Sequence, residues 1–190
     1  MDTISRQKKK LRRSLKEKRE KLPEAYCRQA DEKILHQVTA LLEYKKAQVI
    51  FCYVGTAEEI NTLPILEAAL TAGKRLGVPR CQAPGIMEVY EIKSPEDLET
   101  GHYRIQEPKR HCKRIRPEEI GLALLPCLAA APDGCRLGYG GGYYDRYLPR
   151  SACKTAVLCR ENMLEEHIPT ETHDVRADIV VTEEKVYRVG

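Results

Sequence analysis

Tryptophan is absent from the 190-residue chain, and phenylalanine occurs once, at Phe51. Aromatic area therefore falls almost wholly to ten tyrosines, and each buried tyrosine hydroxyl needs a partner. The eight cysteines include no C-x-x-C pair, so zinc-ribbon spacing is missing. Several stand in apolar runs such as VIFCYV and AVLC, where they read as small buried hydrophobes. No apolar run approaches the ~20 residues that cross a bilayer. The opening MDTISRQKKKLRRSLKEKREKLP also lacks the apolar centre of a secretory signal. The expectation is a soluble cytoplasmic protein with free thiols and no membrane partner.

Charge excess is small too. Thirty-two basic residues against 28 acidic ones leave +4. Basic residues do crowd RQKKKLRRSLKEKREK at the front and KRHCKRIR at 109–116. Either could meet an acidic small molecule, nucleic acid or only water. The near balance of charge and the lack of a recognised reader motif argue against nucleic acid.

Apolar residues mark out the elements. Ile4, Leu11, Leu15 and Leu22 form a stripe at about 100° per residue, so the front is a helix that Pro23 stops. A second helix follows to Leu42. AQVIFCYVG reads as a strand, NTLPILEAALTAGK as a helix ended by Gly73, and RLGVPR and MEVYEIK as strands. GLALLPCL, KTAVLC and ADIVVT are near-continuous apolar strands, the pattern of sheets covered on both faces, and KVYRV closes the chain. Strands alternating with helices predict α/β: a single three-layer α/β/α domain over residues 1–190 with a mostly parallel sheet.

The densest feature is RLGYGGGYYDRYLPR, residues 136–150, with four glycines among four tyrosines. Glycine costs backbone entropy on folding, so such crowding implies a sharp bend or a close approach. A strand precedes it and a helix can follow. That is the setting of phosphate loops, where backbone N–H groups converge at a helix start. Neither G-x-x-x-x-G-K-[ST] nor G-x-G-x-x-G is matched, because Tyr143 holds the last glycine position. A long turn is the alternative.

Asp145 is a candidate Mg²⁺ ligand, since that ion takes one or two carboxylates plus substrate oxygens. A salt bridge or helix-start charge is its plainer role. Asp178, just ahead of IVV, could join it at one metal, or serve a turn. On the helical wheel Lys8 and Arg12 flank the apolar stripe, so they could reach an anion held elsewhere or line a solvated edge. Glu58, Glu59 and Asn61 follow the first strand, where open α/β sheets bind ligands. Asn61 could equally cap the next helix.

RLGYGGGYYDRYL resembles the signature of 5-formyltetrahydrofolate cyclo-ligases, also called methenyltetrahydrofolate synthetases. KKKLRRSLKEKR is similar to that family's Lys-x-x-Leu-Arg start, and EEINT, GVPR, MEVYEIKSPEDLETGHYRIQEP and HDVRADIVVTEE resemble further family blocks. The resemblance spans nearly the whole chain and implies a single α/β/α domain. It also implies cyclisation of 5-formyltetrahydrofolate to 5,10-methenyltetrahydrofolate, with ATP and Mg²⁺ required and ADP and phosphate released.

By this resemblance ATP meets Lys8, Arg12, Arg136, Gly138, Tyr139, Gly140, Gly141, Gly142, Tyr143 and Tyr144. Arg136, Tyr144 and Asp145 act in catalysis. Glu59, Asn61, Tyr103 and Tyr143 contact the folate, whose polyglutamate tail could attract the basic segments. Asp145 and Asp178 hold the metal. A monomer is expected.

Asn61 stands where the family commonly carries an acidic residue. In PCLAAAPDG, Cys127 replaces a glycine and Ala130 an aromatic, which predicts a smaller wall beside the ligand. A diverged relative using ATP on another reduced folate or formamide is the alternative; a nucleic-acid-binding protein is the third reading.

Overall fold

The computed structural model describes residues 3–101 and 105–190. The chain opens with three helices: α1 (Thr3–Glu20), α2 (Glu24–Ala40) and α3 (Leu42–Lys46). Strand β1 (Val49–Cys52) leads through α4 (Leu63–Thr71) to β2 (Arg75–Ala83), which turns back as β3 (Ile86–Ile92). Short strands follow: β4 (Leu98–Thr100), β5 (Gln106–Pro108) and β6 (Arg114–Ile115). Next come β7 (Leu122–Leu125), β8 (Ala129–Ala130), β9 (Arg136–Leu137) and α5 (Tyr143–Tyr147). The chain ends with β10 (Lys154–Leu158), β11 (Ile179–Val181) and β12 (Val186–Arg188).

Eight strands form the main sheet, in the order β12-β11-β10-β7-β1-β2-β3-β6. From β11 through to β2 every pairing is parallel. The pairs β11–β12, β2–β3 and β3–β6 are antiparallel. The expected mostly parallel sheet is therefore present, with antiparallel strands on both flanks. β4 pairs with β5, and β8 with β9, in two small ribbons.

Alternate residues of each central strand enter opposite cores. Val49, Phe51, Ala123, Leu125 and Val157 pack with Leu15 of α1 and Tyr147 of α5. Ile50, Cys52, Leu122, Leu124 and Ala156 pack with Ile34 and Val38 of α2 and with Ile65 and Leu66 of α4. Both faces are thus covered, giving three layers, and this is why the strands read as unbroken apolar runs. Burying each large aliphatic side chain is worth about 1.5–3 kcal/mol, so this double-sided burial is the main force holding the layers.

The chain leaves β1 in one direction to β2, and later builds β7, β10 and β11 on the other side. β1 and β7 therefore flank the point where strand order reverses. Open α/β sheets form their ligand crevice there, outside the carboxyl ends of the strands. All eight cysteines are free thiols. Among the described residues no helix is long and apolar enough to cross a membrane.

Candidate active site

Two cavities open beside the carboxyl ends of β1 and β7. The first, about 290 Å³, is polar and takes Lys8 and Arg12 from α1, Arg136 from β9, the loop Gly138–Gly142, and Asp145 from α5. The second, about 730 Å³, is mainly apolar, with Tyr53, Pro79, Met87 and Ile105 in its wall and Glu59 at its edge. Pro126, Tyr139, Gly141, Tyr143 and Tyr144 line both. The cavities are neighbours across one shared wall.

The glycine loop earns its composition locally. Gly140 and Gly142 have φ of 101° and 65°, in the left-handed region that L side chains avoid. Gly142 is the residue from which α5 starts. Arg12 fixes the loop from the opposite end of the chain, its Nε donating to Gly138 O at 2.8 Å. Arg19 donates Nη1 to the Tyr139 hydroxyl at 2.9 Å and pairs with Glu58.

Lys8 is buried, with Nζ 2.6 Å from Glu171 Oε2 and 2.5 Å from Asp174 Oδ2. Burial pulls the ammonium pKa down, but hydrogen bonds to Asp174 and Glu171 carry it above its ordinary value. Asp174 shows the mirror effect. Burial pushes its carboxyl up, yet the Lys8 hydrogen bond and the Glu171 N–H bring it below the usual range. Glu171, His173 and Asp174 all line the polar cavity. Sequence reasoning assigned none of the three a role in the site. The Lys8 contacts span more than 160 residues, so no spacing rule reveals them.

Arg136 and Asp145 form a further pair, Nη2 to Oδ1 at 2.7 Å. The same carboxylate oxygen accepts the Val175 N–H at 3.1 Å. Arg136 Nε is buried and, among the described residues, has no hydrogen-bond partner. Such orphaned donors are rare, and each calls for an explanation such as a bound ion or ligand. Tyr144 stacks on Phe51, ring centroids 5.9 Å apart and planes 10° from parallel. Burial drives its hydroxyl pKa far up, so it stays a neutral phenol.

The structure brings Lys8, Arg12, Arg136, Gly138–Gly142, Tyr143, Tyr144 and Asp145 together, and sets Glu59 in the adjoining cavity. Tyr103 lies outside the described residues. Three expectations are corrected. Asp178 does not join Asp145. Its carboxylate accepts the N–H and the hydroxyl of Thr155, each at 2.8 Å, and pairs with Lys154 at the N-terminal ends of β10 and β11. A residue that precedes a parallel strand sits at the edge opposite the ligand crevice.

Asn61 lines neither cavity. Its Oδ1 accepts the Leu63 N–H at 3.2 Å just ahead of α4, a local turn contact two residues on, while the helix N-cap itself is Thr62. Nor do Cys127 and Ala130 shape the ligand wall. Ala129, Ala130 and Ala131 are fully buried in the core beneath the site, and Pro126 is the member of that stretch that reaches the cavities.

One positioning network was not foreseen. Arg160 clasps Asp31 through Nε at 2.8 Å and Nη2 at 3.0 Å, and donates to the Glu59 carbonyl at 2.9 Å. Asp31 also accepts the Asn61 N–H. This buried fork holds the loop that presents Glu59. An apolar strand end followed by arginine was the available signal.

Known proteins resemble this chain in sequence and fold. A probable 5-formyltetrahydrofolate cyclo-ligase of Schizosaccharomyces pombe is 29% identical over 172 residues, 82% of this chain and 84% of that protein. The 5-formyltetrahydrofolate cyclo-ligase of Mycolicibacterium smegmatis is 31% identical over 194 residues, 93% of this chain and 94% of the relative. The solved structure of Aquifex aeolicus 5,10-methenyltetrahydrofolate synthetase superposes with a TM-score of 0.86 at 30% identity, covering 96% of this chain and 92% of that one. Residues 4–183 match a single family from end to end, and the chain belongs to it: the 5-formyltetrahydrofolate cyclo-ligase family.

Proposed function

We propose that the protein converts 5-formyltetrahydrofolate to 5,10-methenyltetrahydrofolate, consuming ATP and releasing ADP and phosphate. The observation that carries this reading is the shared wall. A cation-lined polar cavity and a larger apolar one meet at Tyr139, Gly141, Tyr143 and Tyr144. Moving a phosphoryl group from a polyphosphate to an aromatic substrate requires such neighbours.

The residues fit a magnesium nucleotide. Arg136 Nε has no acceptor among the described residues, Lys8 and Arg12 lie at the same cavity, and four glycines of the loop present bare backbone. Asp145, Glu171 and Asp174 offer carboxylates to an ion that also takes phosphate oxygens. Bound there, magnesium ATP supplies the γ-phosphoryl group that turns the formyl oxygen into a leaving group.

The chain's own part is alignment and charge. Lys8, Arg12, Arg136 and the amides of Gly138–Gly142 offset negative charge on the transferring group. Asp145 holds Arg136 in place and serves as metal ligand. Tyr144, seated on Phe51, keeps the shared floor flat, while Tyr143 and Glu59 face the folate. In the substrate, N10 then attacks the activated formyl carbon. The carbon–oxygen bond breaks, phosphate departs and the N10 proton passes to solvent. Closure is intramolecular, so orientation supplies much of the acceleration.

The same reading places the enzyme in the cytoplasm, consistent with its eight free thiols. It acts as a monomer and needs no nucleic acid.

The test is direct. Purified protein with 5-formyltetrahydrofolate and Mg²⁺ should develop the near-ultraviolet band of the methenyl product only when ATP is added. Tight ATP binding with no product from this folate would transfer the reading to another formamide.

A further inference from the structure

Arg146 lines the apolar cavity and not the polar one, yet it joins the walls of both. Its Nη1 donates twice, to Gly141 O at 2.8 Å and to Gly85 O at 3.1 Å. Gly141 belongs to the loop that bounds the polar cavity. Gly85 sits in the turn between β2 and β3, and that hairpin contributes Pro79, Cys81, Pro84 and Met87 to the apolar cavity. One amino group therefore ties the two walls together.

The fold leaves a seat for this guanidinium. A Cβ on Gly85 would collide with Nη1, and one on Gly142 would lie 3.0 Å from it. A side chain at Gly85 could not enter without displacing Arg146. The guanidinium is planar and holds several donors in a fixed geometry, so it can bridge two carbonyls with little further loss of freedom.

We infer that Arg146 is a positioning residue that makes the nucleotide and the folate bind cooperatively, by fixing the apolar wall to the phosphate loop. Hydrogen bonds of this length weaken steeply once stretched or bent, so a shift of either wall disturbs the other. The first ligand to settle orders its own wall and, through Arg146, part of the second. The second ligand then has less ordering to impose. The effect must be reciprocal, because it is a coupling between two binding equilibria. The inference rests on the reading above, with nucleotide in the polar cavity and folate in the apolar one.

The experiment is a binding cycle. Affinity for a non-hydrolysable ATP analogue with Mg²⁺ is measured by calorimetry, alone and with saturating 5-formyltetrahydrofolate. The wild-type protein should bind the analogue about fivefold or more tightly when the folate is present, the lower end of typical site-to-site coupling. Arg146→Ala should bring that ratio to about one, with affinity for the analogue alone nearly unchanged. Gly85→Ala keeps the arginine but crowds its seat, and should also lower the ratio. Arg146→Lys keeps the charge without the fork, so it serves if the alanine variant fails to fold.

A variant ratio equal to that of wild type overturns the inference. So does a wild-type ratio of one when both ligands bind. If wild type binds neither ligand, the folate reading falls first and takes this inference with it.

Discussion

The two cavities share a wall but are held in different ways. The polar one is set by long-range charge contacts: Lys8 with Glu171 and Asp174, Arg136 with Asp145, and Arg12 on the Gly138 carbonyl. The apolar one is set by packing and by a hairpin: Tyr144 on Phe51, and the β2–β3 strands that carry Pro79, Cys81 and Met87. In the first, a ligand must draw cations toward itself that carboxylates already hold. In the second, binding is driven by apolar area leaving water, at about 25 cal/mol per Å². Substitutions in the polar cavity should therefore act abruptly through charge. Those beside the apolar cavity should act by degrees.

The sharpest break of this comparison is Asp145→Asn. It removes the carboxylate that holds Arg136 and is proposed as metal ligand. Turnover should fall by about two to three orders of magnitude, the scale seen when one aligned electrostatic group is lost from a transition state. Folate affinity, proposed to be set in the other cavity, should stay within about twofold. Thermal unfolding and circular dichroism check that the fold survives. An unaltered rate would remove Asp145 from the chemistry.

Lys8→Met should have the next largest effect. Losing a charge-assisted contact costs about 1.5–3 kcal/mol, so nucleotide affinity should drop roughly 10- to 100-fold. The acid side sharpens the point. The Asp174 pKa lies below its ordinary 3.8 in the folded protein. A lowered carboxyl stabilises the fold above its unfolded pKa and loses that contribution as pH falls through the folded one. The melting-temperature gap between wild type and Lys8→Met should be steady above about pH 5 and should narrow below about pH 4. Parallel melting curves for the two proteins down to pH 3 would show that the Lys8–Asp174 bond contributes nothing.

The same contrast explains which features are legible in the amino-acid sequence and which are not. Strands such as VIFC and LALL declare themselves because burial on both faces leaves no polar position, and the glycine loop declares itself by composition. Lys8 and Arg12 are legible as edge residues of an amphipathic helix, and by family resemblance as nucleotide contacts. Their partners Glu171 and Asp174 are not, because a fold brings together residues that spacing keeps apart. Arg160 and Arg146 are hidden for the same reason, each bonding to carbonyls of distant loops. Asp178 is misplaced on strand direction alone. Parallel order puts ligands at strand exits, whereas Asp178 stands where β11 begins.

Asn61 gives the mildest test, and it stands outside both cavities. The side chain accepts the Leu63 N–H instead of facing the cavity, so its contribution is to α4. Asn61→Ala removes one side-chain to backbone hydrogen bond and should cost about 0.5–1.5 kcal/mol. For a domain of this size that lowers the melting temperature by a few degrees. The KM for 5-formyltetrahydrofolate should stay within about twofold, because Glu59 is held through its own carbonyl by Arg160 and not by the Asn61 side chain. A raised KM with an unchanged melting temperature would return Asn61 to the folate wall. The loop after β1 would then add a polar contact to Thr56, Glu58 and Glu59, which already line that cavity.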